Sequence, residues 1–169
     1  MYQSEGGEMK ESEFNRLYEL LHDTAYRIAF TYVKNTDDAL DIVQDVMLRL
    51  YRYEGAFTDD THCRQWVIRV TINRAKDLLR SSWLKKRQEA DLSQIPAVSP
   101  AHRDILTALL DLPRKYRSVI VLHYLEGYSY AETARLLKIT EAAAKMRAKR
   151  GRELLKHIWT EGDETDESE

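Results

Sequence analysis

Cysteine, proline and glycine are all scarce in this chain, and each scarcity removes a class of protein. Cys63 is the only cysteine among 169 residues. An intrachain disulfide is therefore impossible, and a zinc site built on cysteines is ruled out. Three prolines and six glycines are too few turn-formers for an all-β sandwich or barrel. No stretch approaches the roughly 18 consecutive apolar residues of a membrane span, so no direct membrane insertion is expected. Met1 to Lys10 is acidic and lacks an apolar centre. It does not read as a signal peptide, and the expected compartment is the cytoplasm. No glycine-rich phosphate loop or nucleophile motif is found, and His22, His62, His102, His123 and His157 are scattered along the chain. Neither catalysis, nor a metal, nor a cofactor is expected.

What the chain does have is charge, and the charge is sorted by position. The net value of -2 conceals it. Residues 1–62 carry 6 basic and 13 acidic side chains, and residues 64–90 carry 8 and 2. Residues 91–137 balance at 5 each, residues 138–157 carry 7 basic and 2 acidic, and residues 158–169 carry 6 acidic and none basic. Two separate basic segments in an otherwise acidic chain suit a polyanion touched in two places. A helix with a basic wet face is the plainer reading of either segment alone.

Apolar residues make up 43% of the chain, and their spacing is helical. Phe14, Leu17, Leu21, Ala25 and Ile28 mark a helix over 14–33. Asn35, Thr36 and Asp37 form a break with capping chemistry. Ala39, Ile42, Val43, Val46, Met47 and Leu50 repeat with a period of about 3.6 residues, predicting a helix over 37–53. Residues 55–62 read as a polar loop. Ile68, Ile72, Ala75 and Leu79 predict a buried side for a helix over 64–86. Periodicity then fails across 88–99. Ser99-Pro100 reads as an N-cap with proline at the first helical position, opening a helix over 101–110 that Leu112-Pro113 interrupts. Another helix runs over 114–125 and ends before Gly127. Ser129 and Glu132 have the spacing of a capping box, and Thr140 is placed to cap a last helix reaching Ile158.

The fold class expected is all-α, with two helical domains joined by a flexible linker. The domains are placed at 10–88 and 101–158, the linker at 89–100, and a disordered acidic tail at 159–169. The short turn at Lys138-Ile139-Thr140, between helices ending at Leu137 and starting at Glu141, is that of a helix-turn-helix. Ala134 is small where the helices would cross, and Leu137, Ile139 and Ala144 can seal the core between them. The second helix carries Lys145, Met146, Arg147, Lys149, Arg150 and Arg152. In such a motif its early residues meet base edges in the major groove, with Arg or Lys donating to guanine and others neutralising phosphate.

Arg69, Asn73, Lys76 and Arg80 share one face of the earlier basic helix, with Trp66 a turn before them. Asn can recognise a base edge, Arg and Lys hold phosphate, and Trp can stack on an unpaired base. A core anchor is the commoner use of a Trp, and both readings of Trp66 stand at this point.

The chain resembles the extracytoplasmic-function group of bacterial sigma-70-type sigma factors over about residues 12–157. The stretch Asp38 to Tyr51 looks like the family's core-polymerase-binding helix, and Trp66 to Arg80 its minus-ten-reading helix. Leu112-Pro113, Arg117 and the run from Tyr124 to Ala134 resemble the entry to its minus-thirty-five-reading helix-turn-helix. The resemblance implies a protein that binds core RNA polymerase, places both domains on promoter DNA, helps melt it, and acts in a stress or envelope-signal response. It implies an anti-sigma factor as a third partner. Asp38, Asp41, Gln44, Asp45, Leu48 and Arg49 would face the polymerase clamp, with Leu48 an apolar spot among polar residues. Residues 56–63 would hold a flipped promoter base, and Cys63 in that loop is either a redox sensor or, the commoner case, an unreactive thiol. The chain departs from the family pattern at Leu40, Met47, Thr133, Ala142-Ala143-Ala144 and Gly151. The alternative is a stand-alone helix-turn-helix regulator that does not act through polymerase.

Overall fold

The computed structural model describes residues 9–81 and 107–166, with side chains described as far as Ile158. The regular elements among the described residues are helices. The chain divides into two compact units, Met1–Ala97 and Val98–Glu169. The linker expected at 89–100 lies outside the described residues.

The first unit is a bundle of three helices, each packed on the other two: α1 (Glu11–Val33), α2 (Thr36–Tyr51) and α3 (Asp60–Ser81). Leu17, Leu21, Ala25 and Ile28 of α1 are buried. Phe14 is half-buried and meets the Tyr51 ring edge-on at 5.2 Å. α1 stops where Lys34 turns left-handed, with φ at 56°, and gives its N–H to the Phe30 carbonyl. Asn35 then caps α2 by accepting the Asp38 N–H at 2.8 Å, satisfying one of the helix's unpaired donors. All six apolar positions of α2 that the periodicity predicts are buried.

α3 begins four residues before the position that sequence pattern predicts. The reason is a cap that hydropathy does not reveal. Asp59 accepts the His62 N–H on its side chain at 2.7 Å and the Cys63 N–H on its carbonyl at 3.1 Å. Ile68, Ile72 and Ala75 are buried as expected, whereas Leu79 is only half-buried. The connection from α2 to α3 is also less polar than it reads. Phe57 is 1% exposed, stacks on Tyr53 at 4.6 Å and meets Trp66 at 5.8 Å. The chain passes so close to the Tyr53 ring that a Cβ on Gly55 would lie 2.5 Å from it.

In the second unit, residues 107–111 are helical, and the predicted start of that helix at 101–106 lies outside the described residues. After the break at Leu112-Pro113 comes α4 (Arg114–Ile120), which widens into a π-helical stretch, Val121–Leu125. The Glu126 N–H accordingly reaches back to the Val121 carbonyl. Arg117 is buried and donates to the Leu110 and Leu112 carbonyls, both at 3.0 Å. It thereby satisfies acceptors left open by the preceding helix end.

Gly127 takes a φ of +77°, the left-handed turn that glycine adopts without a Cβ clash. The capping box is present: Glu132 donates its backbone N–H to the Ser129 hydroxyl, and the Ser129 N–H donates to the Glu132 carboxylate at 2.9 Å. It opens α5 (Tyr130–Leu137). Lys138 turns left-handed, Thr140 accepts the Ala143 N–H at 3.1 Å, and α6 (Glu141–Asp166) follows. Ala134, Leu137, Ala144 and Ala148 are buried in this unit. At Gly151, α6 comes so close to α4 that a Cβ would sit 3.0 Å from Ile120 Cγ1. α6 continues to Asp166, where the sequence reading expects a disordered tail from residue 159. Extending an existing helix adds a hydrogen bond per residue without a new nucleus, so polar composition alone does not end it.

Candidate functional site

On α2 the buried stripe leaves an outer face carrying Asp41, Gln44 and Leu48, all exposed. Leu48 is 47% exposed and Leu40, on the flank of that face, 40%. Two leucines therefore stand at the surface among acids, where sequence reading singled out one. Asp38 is half-buried at the first turn, and Arg49 is exposed. Asp45 is less open to solvent than its position suggests. It is half-buried, and its carboxylate accepts from Arg74 Nε of α3 at 2.9 Å while pairing with Arg49 at 3.1 Å.

On α3, Arg69, Asn73 and Arg80 are exposed and Lys76 is half-buried, so the predicted basic face lies at the surface. Arg80 pairs with Asp77 at 3.3 Å. Trp66 is half-buried, with its ring 5.0 Å from Tyr53 as well as against Phe57. Of the two readings of Trp66, the anchoring one describes its packing, and only part of the ring is left at the surface. Cys63 lies within α3, fully buried, not in a loop. Burial first, and the Asp60 charge second, push its thiol up to about 12. That is the opposite of a redox-sensing environment, which holds the thiolate at neutral pH.

The helix-turn-helix places Lys145, Met146, Lys149 and Arg150 on its exposed side and leaves Arg147 half-buried on the flank. Lys145 pairs with Glu141 at 2.8 Å. The Tyr116 hydroxyl is held below the usual phenol range, chiefly by a hydrogen bond from Arg150 and then by Lys115. Arg152 donates to the Tyr124 hydroxyl. That hydroxyl lies 3.5 Å from the hydroxyl of Tyr130, whose ring stacks on His123 at 3.9 Å.

Besides the Asp45–Arg74 pair, two further relationships lay outside the reach of sequence reading. One is this tyrosine–arginine layer. The other is Arg16, which grips Asp60 with both nitrogens at 2.9 and 2.8 Å and so ties α1 to the start of α3. Nothing local marks a pair 44 residues apart.

Among the described residues, no group of three or more His, Cys, Asp or Glu is placed to hold a metal. No helix among them is long and apolar enough to cross a membrane.

Comparison with known proteins returns two family matches. Residues 17–85 match sigma-70 region 2, and residues 102–155 match sigma-70 region 4. The chain is 31% identical over 151 residues to the ECF RNA polymerase sigma factor SigM of Mycobacterium tuberculosis, covering 86% of this chain and 76% of that one. It is 30% identical over 144 residues to the RNA polymerase sigma factor SigV of Bacillus subtilis, covering 82% of this chain and 86% of that one. In fold it is similar to the sigma factor RpoE of Bartonella quintana, solved in complex with the anti-sigma factor NepR. The TM-score is 0.68 at 18% identity, covering 88% of this chain and 98% of that one.

Proposed function

This chain belongs to the extracytoplasmic-function group of the sigma-70 family, and from that membership we propose that it binds core RNA polymerase and directs promoter-specific initiation of transcription. The first unit supplies the polymerase contact and the minus-ten contact. The α2 face of Asp41, Gln44 and Leu48, flanked by Leu40, has the polar rim and apolar centre of a protein interface. The α3 face of Arg69, Asn73, Lys76 and Arg80 meets the promoter where the duplex opens. The second unit docks Lys145, Met146, Lys149 and Arg150 in the major groove of the minus-thirty-five element.

The observation that carries this reading is the pair of basic helix faces, one on each compact unit, accompanied by exposed leucines on α2. Binding to polymerase gives these leucines a partner, which contact with DNA alone does not. An anti-sigma factor, the kind of partner in the complex of RpoE with NepR, is a further proposed partner, and the site of action is the cytoplasm.

Run-off transcription with purified core polymerase tests the reading. Promoter-dependent transcripts are expected only when this protein is added, and fewer of them at high salt, because phosphate contacts release counterions. No transcript from any of a library of promoter fragments, with core binding intact, would overturn it.

A further inference from the structure

Met146 occupies the middle of the surface that α6 turns away from its own unit. Ala144, Ala148 and Gly151 are buried. At about 3.6 residues per turn, the side opposite them carries Ala142, Met146 and Lys149, all exposed. Met146 is 57% exposed, and it stands in the second turn, where a recognition helix meets base edges.

Two of the basic side chains near it are held at the margins. Lys145 leans on Glu141 at 2.8 Å and Arg152 on the Tyr124 hydroxyl. The first two turns of α6 hold no Asn, Gln, Ser or Thr, so the amide and hydroxyl modes of base recognition are missing from them. What they present at the centre is apolar. The one apolar group that a base pair exposes in the major groove is the 5-methyl of thymine. A methionine thioether is polarisable and flexible enough to pack on it.

We propose that Met146, supported by Ala142, reads a thymine 5-methyl group in the upstream promoter element and so sets the specificity of this helix. Lys149, one turn further on, suits a guanine edge or a phosphate beside it. The inference rests on the reading of α6 as the minus-thirty-five helix.

Parallel selections test it. Holoenzyme reconstituted from core polymerase and the full chain selects from duplexes randomised across the upstream element. One library is synthesised with thymidine and the other with 2′-deoxyuridine, which pairs identically but lacks the methyl. The thymidine library is expected to enrich a thymine at one or two positions. Replacing that thymine by deoxyuridine should weaken binding about three- to five-fold, the size of one apolar carbon withdrawn from contact. Met146→Ala should shrink the difference between the two forms, and Met146→Leu should keep the preference. Equal binding of both forms by the unaltered protein would overturn the proposal, as would an undiminished preference in Met146→Ala. Enrichment of no sequence in either library would instead remove the minus-thirty-five reading on which it stands.

Discussion

Arg74 of α3 donates its Nε to the Asp45 carboxylate of α2 at 2.9 Å, in a pair where both side chains are about one-third exposed. The link joins the helix proposed to grip polymerase to the helix proposed to touch DNA, and it makes Asp45 part of the bundle's own structure. Asp45→Asn should lower polymerase affinity if the residue also contacts the clamp as proposed, and through the lost pair with Arg74 it should cost up to about 1 kcal/mol of stability, the range for a partly exposed ion pair. Arg74→Gln should show the stability loss alone. Thermal melts and core-binding titrations on both variants separate the two effects, and equal affinity losses would count against a polymerase contact at Asp45.

Leu48 allows a cleaner test, because its side chain is exposed. Leu48→Asp should leave the melting temperature unchanged and weaken core-polymerase binding roughly ten-fold, about 1.4 kcal/mol, as expected for an apolar residue central to an interface. A fluorescence titration with labelled protein reads it directly.

Asn73 is exposed on α3. Asn73→Ala should reduce promoter-dependent transcription while holoenzyme assembly stays intact. Equal loss in the transcription and assembly assays would move Asn73 from the DNA face to the fold.

Glu132 makes the second unit acid-sensitive. Hydrogen bonds from the Ser129 backbone first, and its side chain second, hold the carboxyl below its ordinary value of 4.5. A depressed carboxyl stabilises the fold fully above the unfolded value and loses that contribution as pH falls through the folded one. Stability measured by denaturant titration should therefore decline below about pH 4.5, and Glu132→Gln should flatten that part of the profile. Ser129→Ala should cost about 1 kcal/mol at neutral pH.

Thr133 is 0% exposed, and its hydroxyl has no hydrogen-bond partner among the described residues. A buried hydroxyl without a partner loses its hydration and gains nothing in return. Thr133→Val, of nearly the same shape, should stabilise the second unit by about 1 kcal/mol, read as a raised unfolding midpoint with an unchanged slope. A lowered midpoint would mean that the hydroxyl has a partner after all.

Cys63 should resist alkylation in the native protein at pH 8 and react at once in denaturant. Its thiol is buried and pushed up to about 12, so almost none of it is thiolate under native conditions.

The sequence by itself determined the helical class, the buried stripe of α2, the capping break at 35–37, the caps at Ser129 and Thr140, and the exposure of Arg69, Asn73, Lys145 and Met146. Each of these follows from interactions within a few residues, where the period of the helix or the geometry of a cap dictates the outcome. Tertiary structure alone decided which charged residues are shared between helices. It pairs Asp45 with Arg74 and Arg16 with Asp60, and it sets Arg150 and Arg152 against tyrosines. It also turned Phe57 of an apparently polar loop inward, sank Trp66 into that aromatic cluster and closed off Cys63. These outcomes depend on which helix faces meet, and contacts between residues distant in sequence leave no periodic trace in the chain.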